Sequence, residues 1–165
     1  MRILVKSRKW IEKRLDTDRI FCLKFNFISI FSSRDFSPLP DRHNILKLEF
    51  DDIAEADVSR KNEDGTSLIP FDRGHALRIV RFLEGIDRRK ILVVHCDAGI
   101  SRSGAVGQVL NEYFNRVVED NPDDHAVFFR DNSDIVPNPL VAGIMREALA
   151  ALRSESDNRA SDAET

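Results

Sequence analysis

The chain has no surplus of basic residues: 25 lysines and arginines stand against 28 aspartates and glutamates, a formal charge of −3. Duplex binding normally shows as a Lys/Arg excess gathered on one face, so nucleic acid is not expected as a partner. Long hydrophobic runs are missing as well. Between the charges of the first ten residues lies one short apolar run, Ile3 to Val5, far below the core of a signal peptide or a membrane span. No membrane association is expected, and the location is expected to be cytoplasmic. Cysteine is scarce, with only Cys22 and Cys96. Two cysteines make no disulfide framework and suit a reducing compartment. His43, His75 and His125 are not spaced as metal ligands with one another or with Cys96, so neither metal nor other cofactor is expected. No internal repeat recurs.

What is present is enough for one core: 165 residues with 42% hydrophobic content fit a single domain. Apolar residues at 3–5 and 20–31 read as strands around a short charged helix from Trp10 to Leu15. Ile45 to Phe50 alternates as a third strand. Residues 54–70 are polar and aperiodic, contain Asp64-Gly65 and end at Pro70, which predicts a long mobile loop. Asp72 is placed to cap a helix carrying Ala76, Ile79, Val80 and Leu83 on one face. Ile91 to Val94 is a continuous apolar run, as in a strand covered on both sides. The spacing of Val106, Val109, Leu110, Tyr113, Phe114 and Val117 predicts a helix over 102–118. A last helix starts near Pro137-Asn138-Pro139 and buries Val141, Ile144, Met145, Ala148, Leu149 and Leu152. The domain is drawn at 1–153, with 154–165 as a disordered tail. Strands alternating with helices predict an α/β domain, a mainly parallel central sheet flanked by helices.

The segment Val93-Val94-His95-Cys96-Asp97-Ala98-Gly99-Ile100-Ser101-Arg102-Ser103-Gly104 joins the most apolar strand to a long helix. Five residues between Cys96 and Arg102 can curl around a tetrahedral anion so that backbone N–H groups point inward. Gly99 permits the dihedrals such a curl needs. The helix that follows turns its N-terminus, with free N–H groups and positive dipole end, to the same spot. Such surroundings favour a thiolate, and thiols at helix N-termini beside cations titrate at roughly 3.5 to 7.5. Arg102 adds a planar, permanently charged fork that can hold two phosphoryl oxygens. Attack of Cys96 on phosphorus would give a cysteinyl-phosphate that water then hydrolyses. Cys22, by contrast, reads as core.

His95-Cys96, five residues, Arg102 and Ser103, with Gly99 inside and Gly104 after, resembles the signature of the protein tyrosine and dual-specificity phosphatase superfamily. The resemblance is specific over 93–104 and follows element order from Ile45 to Leu152. The layout is similar to that of small bacterial predicted tyrosine phosphatases, which share a strand ending in Asp-Ile and a Pro-Asn before the last helix. It implies a protein tyrosine phosphatase-like fold with Cys96 as nucleophile and Arg102 as clamp. Asp97, Ala98, Gly99, Ile100 and Ser101 complete the phosphate-binding loop. Ser103 would donate to the departing sulfur, and His95 would hold the loop from behind through hydrogen bonds. An aspartate upstream would serve as general acid. Asp52, at the end of the third strand, is placed in that role with Asp51 as the alternative. Asp57, Asp64 and Asp72 also lie upstream.

The implied activity is hydrolysis of phosphate monoesters. The expected substrate is a phosphorylated protein or peptide, phosphotyrosine first and phosphoserine or phosphothreonine besides. A catalytically silent phosphate-binding module, and a same-fold enzyme acting on a phosphoinositide or an RNA 5′-phosphate, are the alternatives. A rhodanese-type sulfurtransferase fits the His-Cys start and Arg-Ser-Gly end less well. Between Cys96 and Arg102 the loop has one acid and no lysine, which favours a single phosphoryl group over a multiply phosphorylated inositol lipid.

Overall fold

The computed structural model describes residues 1–32, 35–54, 61 and 65–163, with side chains described through residue 154. Strand β1 (Ile3–Ser7) runs directly into helix α1 (Arg8–Thr17), and the Ser7 side chain caps that helix by accepting from the Trp10 N–H. A short helix α2 (Phe21–Lys24) leads to β2 (Asn26–Phe31), and β3 (Ile45–Glu49) follows. After them come α3 (Arg73–Gly85), β4 (Leu92–Cys96), α4 (Arg102–Asn111), a π-helical segment (Glu112–Val118), α5 (Pro122–Asp131) and α6 (Pro139–Ala163). Asp72 caps α3 as its position suggested, with its side chain accepting from the His75 N–H.

The four strands pair in parallel in the order β1-β4-β2-β3. Strand β4 lies between two neighbours and every one of its residues is buried, which is what its unbroken apolar run requires. On one face Val5, Ile30, Leu48 and Val94 pack with Val106 and Leu110 of α4 and Met145 of α6. On the other, Phe27 and Val93 pack with Ile11 of α1 and with Phe21 and Cys22 of α2. The expected single α/β domain is therefore the one observed. Because all four strands run the same way, their carboxyl ends share one edge. Ser7 stands opposite Cys96 and Ser29 opposite His95, so the segments after β1, β2, β3 and β4 converge there. That edge is where open α/β sheets bind ligands.

The fold departs from the sequence reading in four places. The 20–31 run is strand only from Asn26. Phe21 meets Trp10 and Phe27 edge-on beneath α1, and the Asn44 amide bonds the carbonyls of Cys22 and Phe25 at 2.6 and 2.7 Å, so the chain coils there. The helix over 102–118 changes pitch at Glu112, and the Glu119 N–H reaches back five residues to the Phe114 carbonyl. That slip turns Val117, expected on the packed stripe, out to solvent. The buried Asn111 and Asn115 sit at this junction and bond each other at 2.7 Å, so their amides are paired. Helix α5 was not anticipated, although Asn121, whose side chain accepts from the Asp124 N–H, and Pro122 form a capped start. Helix α6 continues through Ala163, past the boundary drawn at residue 153, since lengthening a nucleated helix costs little. The mobile loop expected over 54–70 falls mostly outside the described residues. Among the described residues no helix is long and apolar enough to cross a membrane.

Candidate active site

Cys96 ends β4, residues 97–101 curl over it, and α4 starts at Arg102. The curl rests on the β1–α1 junction. Gly99 has φ +74°, and a Cβ there would stand 2.6 Å from backbone atoms of Lys6 and Ser7, so only glycine fits. Three loop carbonyls are held from outside: Asp97 by the Arg8 N–H at 3.1 Å, Ile100 by the Val136 N–H at 3.2 Å, and Ser101 by the Asn138 N–H at 3.2 Å. Peptide planarity then points the following N–H groups, those of Ala98, Ser101 and Arg102, in the opposite direction. The loop is thus pinned through its carbonyls, with these N–H groups on the other side of each peptide.

The Cys96 sulfur lies 3.1 Å from the Ser103 hydroxyl, and both residues are buried. Arg102 is only 5% exposed, so its charge is worth holding there only if its donors are met. Nη1 donates to the Ser32 hydroxyl at 2.9 Å and the Phe50 carbonyl at 3.0 Å, and Nη2 donates to Asp97 Oδ2 at 3.1 Å. Those bonds use three of its five N–H donors and fix the guanidinium plane. Nε is buried and without a hydrogen-bond partner among the described residues, which leaves an edge of Nε and one Nη2 proton for a ligand oxygen.

The two adjacent aspartates are placed differently. Asp52 is exposed, and its Oδ1 accepts from the Ser101 hydroxyl at 2.7 Å and the Asn138 amide at 2.8 Å, so the carboxylate stands at the rim of the loop. Asp51 is buried and turned the other way, with Oδ2 accepting from the Ile69 N–H at 2.8 Å and its own N–H donating to the Ile69 carbonyl at 2.7 Å. It fastens the returning end of the 54–70 segment. Asp72 is spent on capping α3, while Asp57 and Asp64 lie outside the described residues. Three site residues escaped the sequence reading: Ser32, Arg8 and Asn138. Only the Pro-Asn pair before the last helix carried a signal, and it was read as layout. Asn138 also accepts from the Val141 N–H, so one side chain starts α6 and holds Asp52.

His95 lies behind the loop, in the core. It is 1% exposed, and among the described residues no side chain bonds either ring nitrogen. The hydroxyl of Ser29, across the strand, is paired with Ser37 at 2.6 Å. Burial pushes the pKa of His95 down to about 4, with the Arg8 charge assisting and the Cys96 backbone opposing. The folded-state value lies below the unfolded one of about 6.5, so the unfolded chain binds the extra proton and stability falls as pH drops through that window. His95→Leu should flatten this limb. Denaturant titrations should show the wild type losing about 2 kcal/mol more than the variant between pH 7.5 and pH 5. Parallel losses would mean that His95 is not held neutral. Cys22 is buried among apolar side chains and its thiol is pushed up by that burial, as suits core.

Among the described residues no group of three or more His, Cys, Asp or Glu side chains is arranged to hold a metal ion. No protein-family model matches the chain, and no curated protein matches its sequence. Among solved structures, the chain is similar to PTPMT1 in complex with PI(5)P, with a TM-score of 0.52 and 14% identity over 94% of each chain. It is also similar to Tk-PTP in the active form, with a TM-score of 0.46 and 16% identity over 91% of this chain and 92% of that one. The first of these carries the fold, which is protein tyrosine phosphatase-like.

Proposed function

We propose that the protein is a cysteine-dependent phosphatase that hydrolyses phosphate monoesters, phosphotyrosine in proteins or peptides first, through a cysteinyl-phosphate. The observation that carries the reading is Arg102, buried and held by Ser32, Phe50 and Asp97 with Nε and part of Nη2 left over, at the end of the loop that Cys96 begins. A buried guanidinium with an unspent donor edge suits a ligand with two acceptor oxygens. In the first step the Cys96 thiolate bonds to phosphorus, the ester P–O bond breaks, and Asp52 hands its proton to the leaving oxygen. Asp52 then takes a proton from water as the water oxygen attacks phosphorus and the sulfur leaves, with the Ser103 hydroxyl donating to it. Arg102 and the loop N–H groups meet the charge on the three equatorial oxygens in both steps.

Phosphotyrosine is placed first because two exposed apolar side chains beside the loop suit an aryl group. Ile100 and Val136, joined through a backbone hydrogen bond, are 39% and 69% exposed. No lysine lies in the loop, and pairing of Asp97 with Arg102 softens the repulsion of further phosphates without adding attraction. The second reading is a phosphoinositide, favoured by the structure similar to this chain that holds PI(5)P. The test is kcat/KM for a phosphotyrosine peptide against a short-chain inositol phospholipid at the same salt and without added metal. At least a tenfold ratio for the peptide is expected. A ratio favouring the lipid replaces the substrate, and no turnover of either defeats the phosphatase reading and leaves the silent binding module.

A further inference from the structure

The residue after the nucleophile is an acid, a poor neighbour for an anion. Asp97 Oδ2 is bonded to Arg102, yet the side chain remains 46% exposed at the mouth of the loop. Its charge would repel an arriving phosphoryl group unless something cancels it. Arg8 stands in position to do so. It enters from the first turn of α1, on the neighbouring strand's carboxyl end, and its backbone N–H already holds the Asp97 carbonyl. Its Nη1 lies 3.9 Å from Asp97 Oδ1, an ion pair too long for a hydrogen bond, so Arg8 acts on that carboxylate through charge.

The Arg8 head is itself held in place. Nη1 is paired with Asp35, Nε donates to Glu12 at 2.8 Å, and the Phe36 ring lies 4.9 Å from the guanidinium carbon. Only 19% of the side chain is exposed. A surface arginine needs no such fastening, and free arginine side chains lose considerable rotamer entropy when held. Arg8 thus joins Asp35 and Glu12 on one side to Asp97, the partner of Arg102, on the other. Among the described residues, loss of Arg8 leaves Asp97 with Arg102 as its one cation within ion-pair distance and takes a partner from Asp35.

We propose that Arg8 is a positioning residue of the phosphate site, cancelling the charge of Asp97 and keeping its carboxylate turned onto Arg102 and away from the incoming phosphoryl group. The inference rests on the phosphatase reading for its kinetic consequences and on the anion cradle alone for its binding ones. Ground state and transition state both carry the phosphoryl charge, so losing Arg8 weakens both alike. KM should rise and kcat should stay nearly constant.

The test is a double-mutant cycle on the full chain with Arg8→Met, Asp97→Asn and the pair. Inorganic phosphate affinity is read by calorimetry, and kcat and KM are read with para-nitrophenyl phosphate. Arg8→Met should weaken phosphate binding about tenfold and raise KM similarly, with kcat within about twofold. In the Asp97→Asn background the same exchange should cost less than about twofold, and Arg8→Lys should restore most of the affinity in the Asp97 protein. Unchanged phosphate affinity in Arg8→Met overturns the inference. An equal penalty in the Asp97→Asn background overturns it too, since Arg8 would then act on the anion directly. Phosphate binding without turnover defeats the phosphatase reading while leaving the cycle readable, and a wild type that binds no phosphate defeats both.

Discussion

Cys96→Ser should abolish turnover of phosphate monoesters while leaving inorganic phosphate affinity within a few-fold of the wild type. The two halves of this result have separate causes. The nucleophile is lost because a neutral hydroxyl beside Ser103 has none of the reactivity of a thiolate, and no other nucleophile lies in the cradle among the described residues. Binding persists because the anion is held by groups the substitution does not touch: the pinned loop, the start of α4 and the free edge of Arg102. The fold should hold as well, since sulfur to oxygen at a buried site removes little volume. Steady-state assays should show a fall of at least about 10⁴-fold in kcat, with calorimetry reporting the phosphate affinity. Residual turnover near the wild-type level would mean that water attacks phosphorus directly and that no cysteinyl-phosphate forms.

Asp52→Asn should slow hydrolysis of a phosphotyrosine peptide by roughly 10²-fold or more. The bonds from Ser101 and Asn138 both land on Oδ1, so among the described residues Oδ2 is left to carry the acid's proton. Asparagine keeps an acceptor for both donors, so the effect should be chemical and not structural. Esters whose leaving group departs as a stable anion need no proton and should slow far less. Asp51→Asn should do the opposite: it should lower thermal stability through the Ile69 contact and affect good and poor leaving groups alike. If the dependence on leaving group appears in the Asp51 variant instead, the acid is Asp51.

The contrast between these aspartates shows where sequence reasoning stops. Both lie just beyond the end of β3 and are chemically identical, and adjacent residues in extended backbone point to opposite sides. Choosing between them needs to know which side faces the loop, and that depends on Asn138, far along the chain in another element. The loop from Cys96 to Ser103 was legible because it is contiguous. Its spacing, its glycine and the helix after it are local, and local geometry follows from local sequence.

The sequence by itself determined the α/β class with a mainly parallel sheet, the buried central strand and the contiguous Cys96–Ser103 loop proposed above as the phosphate site, because periodicity and a short loop need no partner to be read. Tertiary structure alone decided which groups stand around that cradle. Ser32 reaches Arg102 from the end of β2, Arg8 reaches Asp97 from the end of β1, and Asn138 reaches Asp52 from the start of α6. Tertiary structure also decided the helical turn at Phe21–Lys24 and the change of pitch at Glu112, where buried rings and paired asparagines outweigh local preference. The reason is the strand order: β4 lies between β1 and β2 and all strands run parallel, so residues remote in the chain meet at one edge without leaving a pattern along it.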